Sequence, residues 1–527
     1  MPDLIHDFIF ESARRTPHAE ALVHGARRLD YAALAGEVEH AAGALLASGI
    51  ERGERVAVYL EKRVENVAAM YGAAACGAVF VPVNPLLKAD QVAYILADCN
   101  VRVLVTSPER LAQLAGALPA CRDLRAVLVT AGGAMPALDG VQVLAWEDAR
   151  KAPAPGTLAA RRVIDADMAA ILYTSGSTGK PKGVVLSHRN MVAGAQSVAS
   201  YLGIGPGERI LSVLPLSFDY GLNQLSTAFL TGACVVLMNY LFPKDIVKAV
   251  QDERITGLAA VPPLWIQLAA QSWPADTTLR YLTNSGGAMP TATVAALRQA
   301  LPSAQLFLMY GLTEAFRSTY LPPSELERRP DSMGRAIPNA EVMVVRPDGT
   351  PCAPNEPGEL VHRGALVALG YWNDPVKTAE RFRPAPGRNP ALPLAEMAVW
   401  SGDTVRMDEE GYLYFIGRSD DMIKVSGYRV SPTEVEEVAH ASGLVLEAAA
   451  FGVAHPALGQ AIVLLAQARD PSLTAASLLK ECQRRLPAYM VPAHVELRAE
   501  AFPRNPNGKL DRKLLQQSYS TLFESTL

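Results

Sequence analysis

Short apolar runs alternate with stretches of helical periodicity through the first four hundred residues. Residues 55–60 read as a strand, and 61–76 as a helix closed by Gly77. Residues 79–83, 101–106, 126–130 and 169–172 read as further strands. The rhythm returns at 210–214, 234–238, 257–261 and 306–309, with helices between. Strands alternating with helices predict an α/β fold with parallel-rich sheets. The stretch 331–418 breaks this rhythm with turn signals such as Arg346-Pro-Asp-Gly349 and Pro357-Gly358, which predict a small β-rich subdomain. A polar joint, Ser419-Asp420-Asp421, follows, and then a fresh α+β pattern: helix at 433–440, strand at 461–466, helix at 475–486. The expected organisation is a large N-terminal domain over 1–419, containing the 331–418 subdomain, and a small mobile C-terminal domain over 420–527. Residues 152–156 and 384–393 read as surface loops.

Composition narrows the class. A chain of 527 residues is long enough for three or four structural units. Half of it is hydrophobic and 19% charged, which excludes a mostly disordered chain. A net charge of -4 gives no global pull toward nucleic acid or an anionic membrane. The six cysteines lack CxxC spacing, so neither a disulfide framework nor a zinc site is expected. There is no basic, apolar leader at 1–10 and no long uncharged apolar run, so the expectation is a soluble cytoplasmic protein.

The chemistry concentrates in Tyr173-Thr-Ser-Gly-Ser-Thr-Gly-Lys-Pro-Lys-Gly183, directly after a strand. Glycines let backbone N–H groups approach phosphate oxygens, hydroxyls donate further bonds, and lysines add charge. It is not a Walker A loop, which would need Gly where Thr174 stands and Ser or Thr where Pro181 stands. The dinucleotide GxGxxG spacing is absent too. A flexible surface turn is the bland alternative.

This segment resembles the phosphate loop of the adenylate-forming superfamily: acyl-CoA synthetases, adenylation domains of nonribosomal peptide synthetases, and firefly luciferase. The resemblance continues in order over nearly the whole chain. Asn284-Ser-Gly-Gly-Ala-Met-Pro290 and Met309-Tyr-Gly-Leu-Thr-Glu314 resemble its adenine-binding segments; Ser401-Gly-Asp403 and Gly417-Arg418 resemble its ribose-binding segments. Residues 420–430 resemble its hinge and following loop, and Asn505-Pro-Asn-Gly-Lys509 its C-terminal lysine motif.

The resemblance implies ATP and Mg2+ as cofactors and assigns roles residue by residue. Thr174, Ser175, Gly176, Ser177, Thr178, Gly179, Lys180 and Lys182 would hold phosphates. Ser285, Gly286, Gly287, Met309, Tyr310 and Gly311 would surround adenine, with Tyr310 stacking on it. Asp403 would accept the ribose hydroxyls beside Arg418. Thr313 would donate to the α-phosphate, and Glu314 would hold the magnesium ion as an oxygen ligand. Lys509, after the permissive Gly508, would bridge the attacking carboxylate and the α-phosphate, stabilising the transition state more than the ground state. Asp420 would be a hinge, and Lys424 and Gly427 would belong to a loop that swings in for thiol transfer.

The acid pocket implied by the resemblance draws on Phe218, Asp219, Tyr220, Asn223, Ala260, Leu282, Asn284, Met309, Arg317 and Ser318. Many fatty acyl- and aryl-CoA synthetases carry histidine where this chain has Ser217-Phe-Asp-Tyr-Gly221. Phe-Asp resembles amino-acid-activating domains, in which the aspartate binds the α-amino group. Capping of the following helix is the other reading of Asp219. Gly221 and Asn223 depart from the usual amino-acid pattern, and Arg317 is either a substrate contact or a structural ion pair.

The implied function is an AMP-forming acid–thiol ligase. It activates a small carboxylic or amino acid and passes the acyl group to coenzyme A or to the phosphopantetheine of an acyl or peptidyl carrier protein acting in trans. The alternative is a stand-alone amino-acid adenylation enzyme, for example for proline, that loads a peptidyl carrier protein. A luciferase-like oxidase and a non-catalytic binding protein rank below, since nothing marks an oxygen-using site and Lys509 and Glu314 are retained.

Overall fold

The computed structural model describes residues 2–130, 137–151, 162–174, 180–287, 289, 291–387, 389, 391–418, 422–500, 502–503 and 512–524. Two large sheets carry the N-terminal part. In the eight-stranded sheet, Met168–Thr174, Val79–Pro82, Arg55–Tyr59, Val101–Thr106, Ala126–Val129 and Gln142–Ala145 lie side by side and parallel. Lys182–Ser187 and then Gly370–Tyr371 add antiparallel to the Met168–Thr174 edge. In the nine-stranded sheet the parallel core runs Gln305–Tyr310, Tyr281–Asn284, Gly257–Ala260, Arg209–Ser212, Cys234–Leu237, Glu20–His24. These strands are almost wholly buried runs, as parallel strands covered on both faces must be.

The α/β expectation holds, with differences at particular elements. The first helix of the rhythm begins at Val64, not 61, because Arg63 is extended at its N-cap. The strand Glu20–His24 leaves the first sheet and pairs with Cys234–Leu237 in the second, a long-range partner that local periodicity cannot reveal. The 331–418 stretch is β-rich, but it is not self-contained. Ala340–Val345, Gly358–Gly364, Met397–Met407, Phe382–Pro384 and Leu413–Arg418 form their own five-stranded sheet, while Arg335–Ala336 extends the nine-stranded sheet and Gly370–Tyr371 the eight-stranded one. Phe382–Pro384 pairs with Met397–Met407, so the loop expected at 384–393 begins as a strand.

After the joint, Ile423–Val425, Tyr428–Val430, Val445–His455, Gly459–Ala468 and His494–Leu497 form a separate five-stranded sheet covered by Pro432–Ala441 and Ala475–Arg485, with its own buried core. The fold is therefore a large N-terminal sheet domain with a small α+β C-terminal domain. All six cysteines are free thiols, and no helix among the described residues is long and apolar enough to cross a membrane.

Candidate active site

Four parallel strands of the two large sheets end at one cleft: Pro82 and Thr174 from one sheet, Ser285 and Tyr310 from the other. Crevices at the carboxyl ends of parallel strands are where open α/β sheets bind ligands. The C-terminal domain closes the cleft with Lys424, Gly427, Tyr428 and Arg429.

Seven of the expected nucleotide residues converge here. Thr174, Ser285, Gly286, Tyr310, Gly311, Thr313 and Asp403 line the cleft. The Tyr310 hydroxyl donates to Asp403 Oδ2. Asp403 and Arg418 stand directly opposite each other in adjacent antiparallel strands. Thr174 and Lys182 are likewise partners in the antiparallel strands on either side of the expected phosphate loop. Lys182 Nζ lies 5.0 Å from the centre of the Tyr371 ring, and burial pulls its pKa down to about 8. Lys180 Nζ stands 5.6 Å from the centre of the Tyr94 ring. Gly287 accepts at its carbonyl from Asn284 Nδ2 at 3.1 Å, and Met309 Sδ accepts from the Tyr201 hydroxyl at 2.9 Å. Ser175, Gly176, Ser177, Thr178, Gly179, Asp420 and Lys509 lie outside the described residues.

Glu314 sits in a single 3-10 turn, Thr313–Ala315. The Tyr371 hydroxyl donates to its Oε1 at 2.7 Å, while Oε2 is buried and makes no hydrogen bond among the described residues. Burial pushes this carboxyl up, but the Arg429 charge and the Tyr371 hydrogen bond outweigh it and hold Glu314 below the usual carboxylate range. A buried, ionised oxygen without a protein donor suits a hard divalent cation. No group of three or more His, Cys, Asp or Glu able to hold a metal occurs among the described residues. A magnesium ion would take most of its other ligands from phosphates and water.

Phe218, Asp219 and Arg317 also line the cleft. Asp219 Oδ2 accepts from Arg317 Nη1 at 3.0 Å, with both side chains under 5% exposed. The following helix starts at Asp219 itself and is capped by Phe218, with no side-chain cap bond. Burial raises the Asp219 pKa and Arg317 opposes the rise. Phe316, just before the arginine, has φ 55 and ψ -39, and Arg317 N–H bonds the Ala315 carbonyl across it. This strained turn brings Thr313 and Arg317 to the cleft lining and leaves Glu314 buried beside it. The other expected pocket residues stand behind the lining. The Tyr220 hydroxyl bonds Thr283 Oγ1 at 2.6 Å, Ser318 Oγ bonds His362 Nδ1 at 2.9 Å, and Asn223, Ala260 and Leu282 are buried.

Sequence reasoning missed Tyr371, Arg429 and Lys62. Arg429 lies inside the 420–430 stretch, yet nothing local marks its charge as meant for Glu314. Tyr371 lies 57 residues from Glu314 and carries no local signal. A second cavity, of about 590 Å3, adjoins the cleft and shares Pro82, Ser217, Phe218, Gly427 and Tyr428 with it. Lys62 lines it, donating to the Val213 carbonyl at 2.9 Å, and burial pulls its pKa down to about 8. At the join, Gly427 has φ +86, and a Cβ there would stand 2.6 Å from Val261 Cγ1. Only glycine lets the two domains approach so closely at this point.

Residues 9–372 match the AMP-binding enzyme family, and 434–509 match the AMP-binding enzyme C-terminal domain. The chain is 33% identical over 523 residues to an L-proline--[L-prolyl-carrier protein] ligase of Pseudomonas fluorescens, covering 97% of this chain and 98% of that protein. It is 30% identical over 521 residues to the phenyloxazoline synthase MbtB of a Mycobacterium species, covering 97% of this chain and 42% of that synthase. Among solved structures, the amide bond synthetase McbA of Marinactinospora thermotolerans superposes with a TM-score of 0.84 at 26% identity, covering 98% of this chain and 99% of that one. The o-succinylbenzoate CoA synthetase of Bacillus subtilis, as a double mutant, gives 0.81 at 25%, covering 96% and 97%.

Proposed function

Since the chain belongs to the AMP-binding enzyme family and is an AMP-forming ligase, we propose that it activates a small carboxylic acid as its adenylate and passes the acyl group to the phosphopantetheine thiol of a carrier protein acting in trans. ATP would occupy the cleft with adenine beside Ser285 and Tyr310, ribose at Asp403, and a magnesium ion on Glu314. Magnesium would supply charge neutralisation of the phosphates. Lys182 and Lys180, at the end of the phosphate hairpin, would add positive charge, and Lys509 would bridge carboxylate and α-phosphate. Tyr371 fixes the Glu314 carboxylate through Oε1, so that Oε2 would be left to hold the ion.

The observation that carries the acceptor is the second cavity. It meets the cleft at Phe218 and Gly427 and reaches Leu86, which is 49% exposed. A thiol entering by this route would arrive where the acyl carbonyl sits. Tyr240 also lines the cavity, and the next two residues, Leu241 and Phe242, are exposed. While Lys62 and Arg110 in the cavity's lining would suit phosphates of either thiol carrier, that exposed apolar pair beside the cavity suits a protein partner. The similarity to carrier-protein ligases supports the same choice.

Acid-dependent ATP–pyrophosphate exchange across fatty, aryl and amino acids tests the first half-reaction. Thioester formation with coenzyme A and with a panel of phosphopantetheinylated carrier proteins tests the second. Exchange in the first assay with faster acylation of coenzyme A than of every carrier protein would overturn the carrier reading alone. No exchange with any acid would overturn the activation reading.

A further inference from the structure

Resting on that activation reading, we infer that Arg317 is the built-in counter-ion of Asp219, so that the pocket takes an acid without an α-amino group. The pair is sealed. Arg317 is 2% exposed and Asp219 is 3% exposed, and Nη1 holds Oδ2 at 3.0 Å. The guanidinium carbon lies 4.8 Å from the centre of the Tyr220 ring, whose hydroxyl is itself fixed by Thr283. A planar cation on an aromatic face and against a carboxylate is held in both directions. Gly311 provides the room: a Cβ there would lie 3.3 Å from Arg317 Cα. The strained turn at Phe316 sets the direction of the side chain.

Charge then decides the substrate. An aspartate alone in this position would be a buried anion, which a substrate ammonium could neutralise. Here the neutralising cation arrives with the chain. An α-ammonium placed on Asp219 would set two cations on one carboxylate in a region of low dielectric, where like charges repel strongly. Arg317 Nε and Nη2 are buried and make no hydrogen bond among the described residues, so Asp219 and the Tyr220 face are what hold this charge. Asp219 therefore belongs to the protein's own pair, and the acid meets a charge-balanced pair in place of a lone carboxylate.

The test uses the full-length enzyme and matched acids that differ only in the α-amino group, such as pentanoic acid against norvaline and 3-phenylpropanoic acid against phenylalanine. ATP–pyrophosphate exchange gives kcat/KM for each. The wild type should favour the amino-free member of any pair it accepts by tenfold or more. Arg317→Met keeps the volume and removes the charge, and should shift that ratio toward the amino member by at least tenfold. Asp219→Ala added to it should abolish the shift, and Arg317→Lys, which keeps a cation, should preserve the wild-type ratio. Thermal unfolding identifies a misfolded Met variant, in which case the Lys variant and the wild-type ratio decide. An amino acid at the head of the wild-type panel overturns the inference. So does a diacid whose advantage vanishes in Arg317→Met, or a ratio unmoved by that substitution in folded enzyme. Absence of exchange with every acid overturns the activation reading first and this inference with it.

Discussion

Beside the part of the cleft proposed for the nucleotide, Glu314 keeps one buried oxygen without a hydrogen-bond partner among the described residues; in the part proposed for the acid, Asp219 already has a counter-ion 3.0 Å away. Both carboxylates are nearly inaccessible, and both sit within a few residues of a strand end. Their pKa values nevertheless move in opposite directions. Arg429 and the Tyr371 hydroxyl overcome burial at Glu314, whereas burial prevails over Arg317 at Asp219. One end holds charge ready for a ligand that arrives, and the other has neutralised its charge internally. Substitutions at the nucleotide end should thus lower turnover of every acid alike, while those at the acid end should alter stability and choice.

The sharpest separation comes from Lys509→Ala. Pyrophosphate exchange should fall about 10²–10³-fold for all acids, the scale of losing a donor aimed at transition-state charge. Transfer from a supplied acyl-adenylate should stay nearly intact. Equal loss in both half-reactions would remove the lysine from the phosphate chemistry.

Asp219→Ala breaks the comparison at its other end. It leaves a buried guanidinium unpaired and should cost roughly 3–5 kcal/mol of stability. Denaturant unfolding measures this, and a loss under about 1 kcal/mol, the scale of an exposed pair, would mean that the pair is not sealed.

Tyr371→Phe probes the nucleotide end more gently. Removing a hydrogen bond to a charged carboxylate is worth about 1.5–3 kcal/mol, or roughly tenfold to a hundredfold. The expected readout is a raised magnesium requirement for exchange, with unchanged preference among acids. A changed preference would show that the two ends are coupled.

The smallest effect lies where the C-terminal domain docks. Gln91 Nε2 donates to Glu434 Oε1 at 3.2 Å, and burial pushes this carboxyl up to about 7. A carboxyl whose folded pKa lies above its unfolded value near 4.5 binds more protons when folded. Its contribution is full below the unfolded pKa and is lost as pH rises to about 7. Glu434→Gln should therefore flatten the fall in thermal stability between about pH 5 and 7. Identical slopes in wild type and variant would exclude Glu434 as the titrating group.

The sequence alone determined the alternation of buried strands and helices, because periodicity and glycine or proline punctuation are local properties. It also singled out the segments expected to meet ATP, since these residues are contiguous and each run carries its own chemistry. Tertiary structure alone decided that Glu20–His24 joins the second sheet, that Tyr371 serves Glu314, and that Gly427 lies against Val261. It also paired Asp219 with Arg317. From the chain, cap and ammonium ligand were equally open, and the partner that answers the question stands 98 residues away. A buried charge takes its meaning from whichever opposite charge the fold brings to it, and no local pattern records that distance.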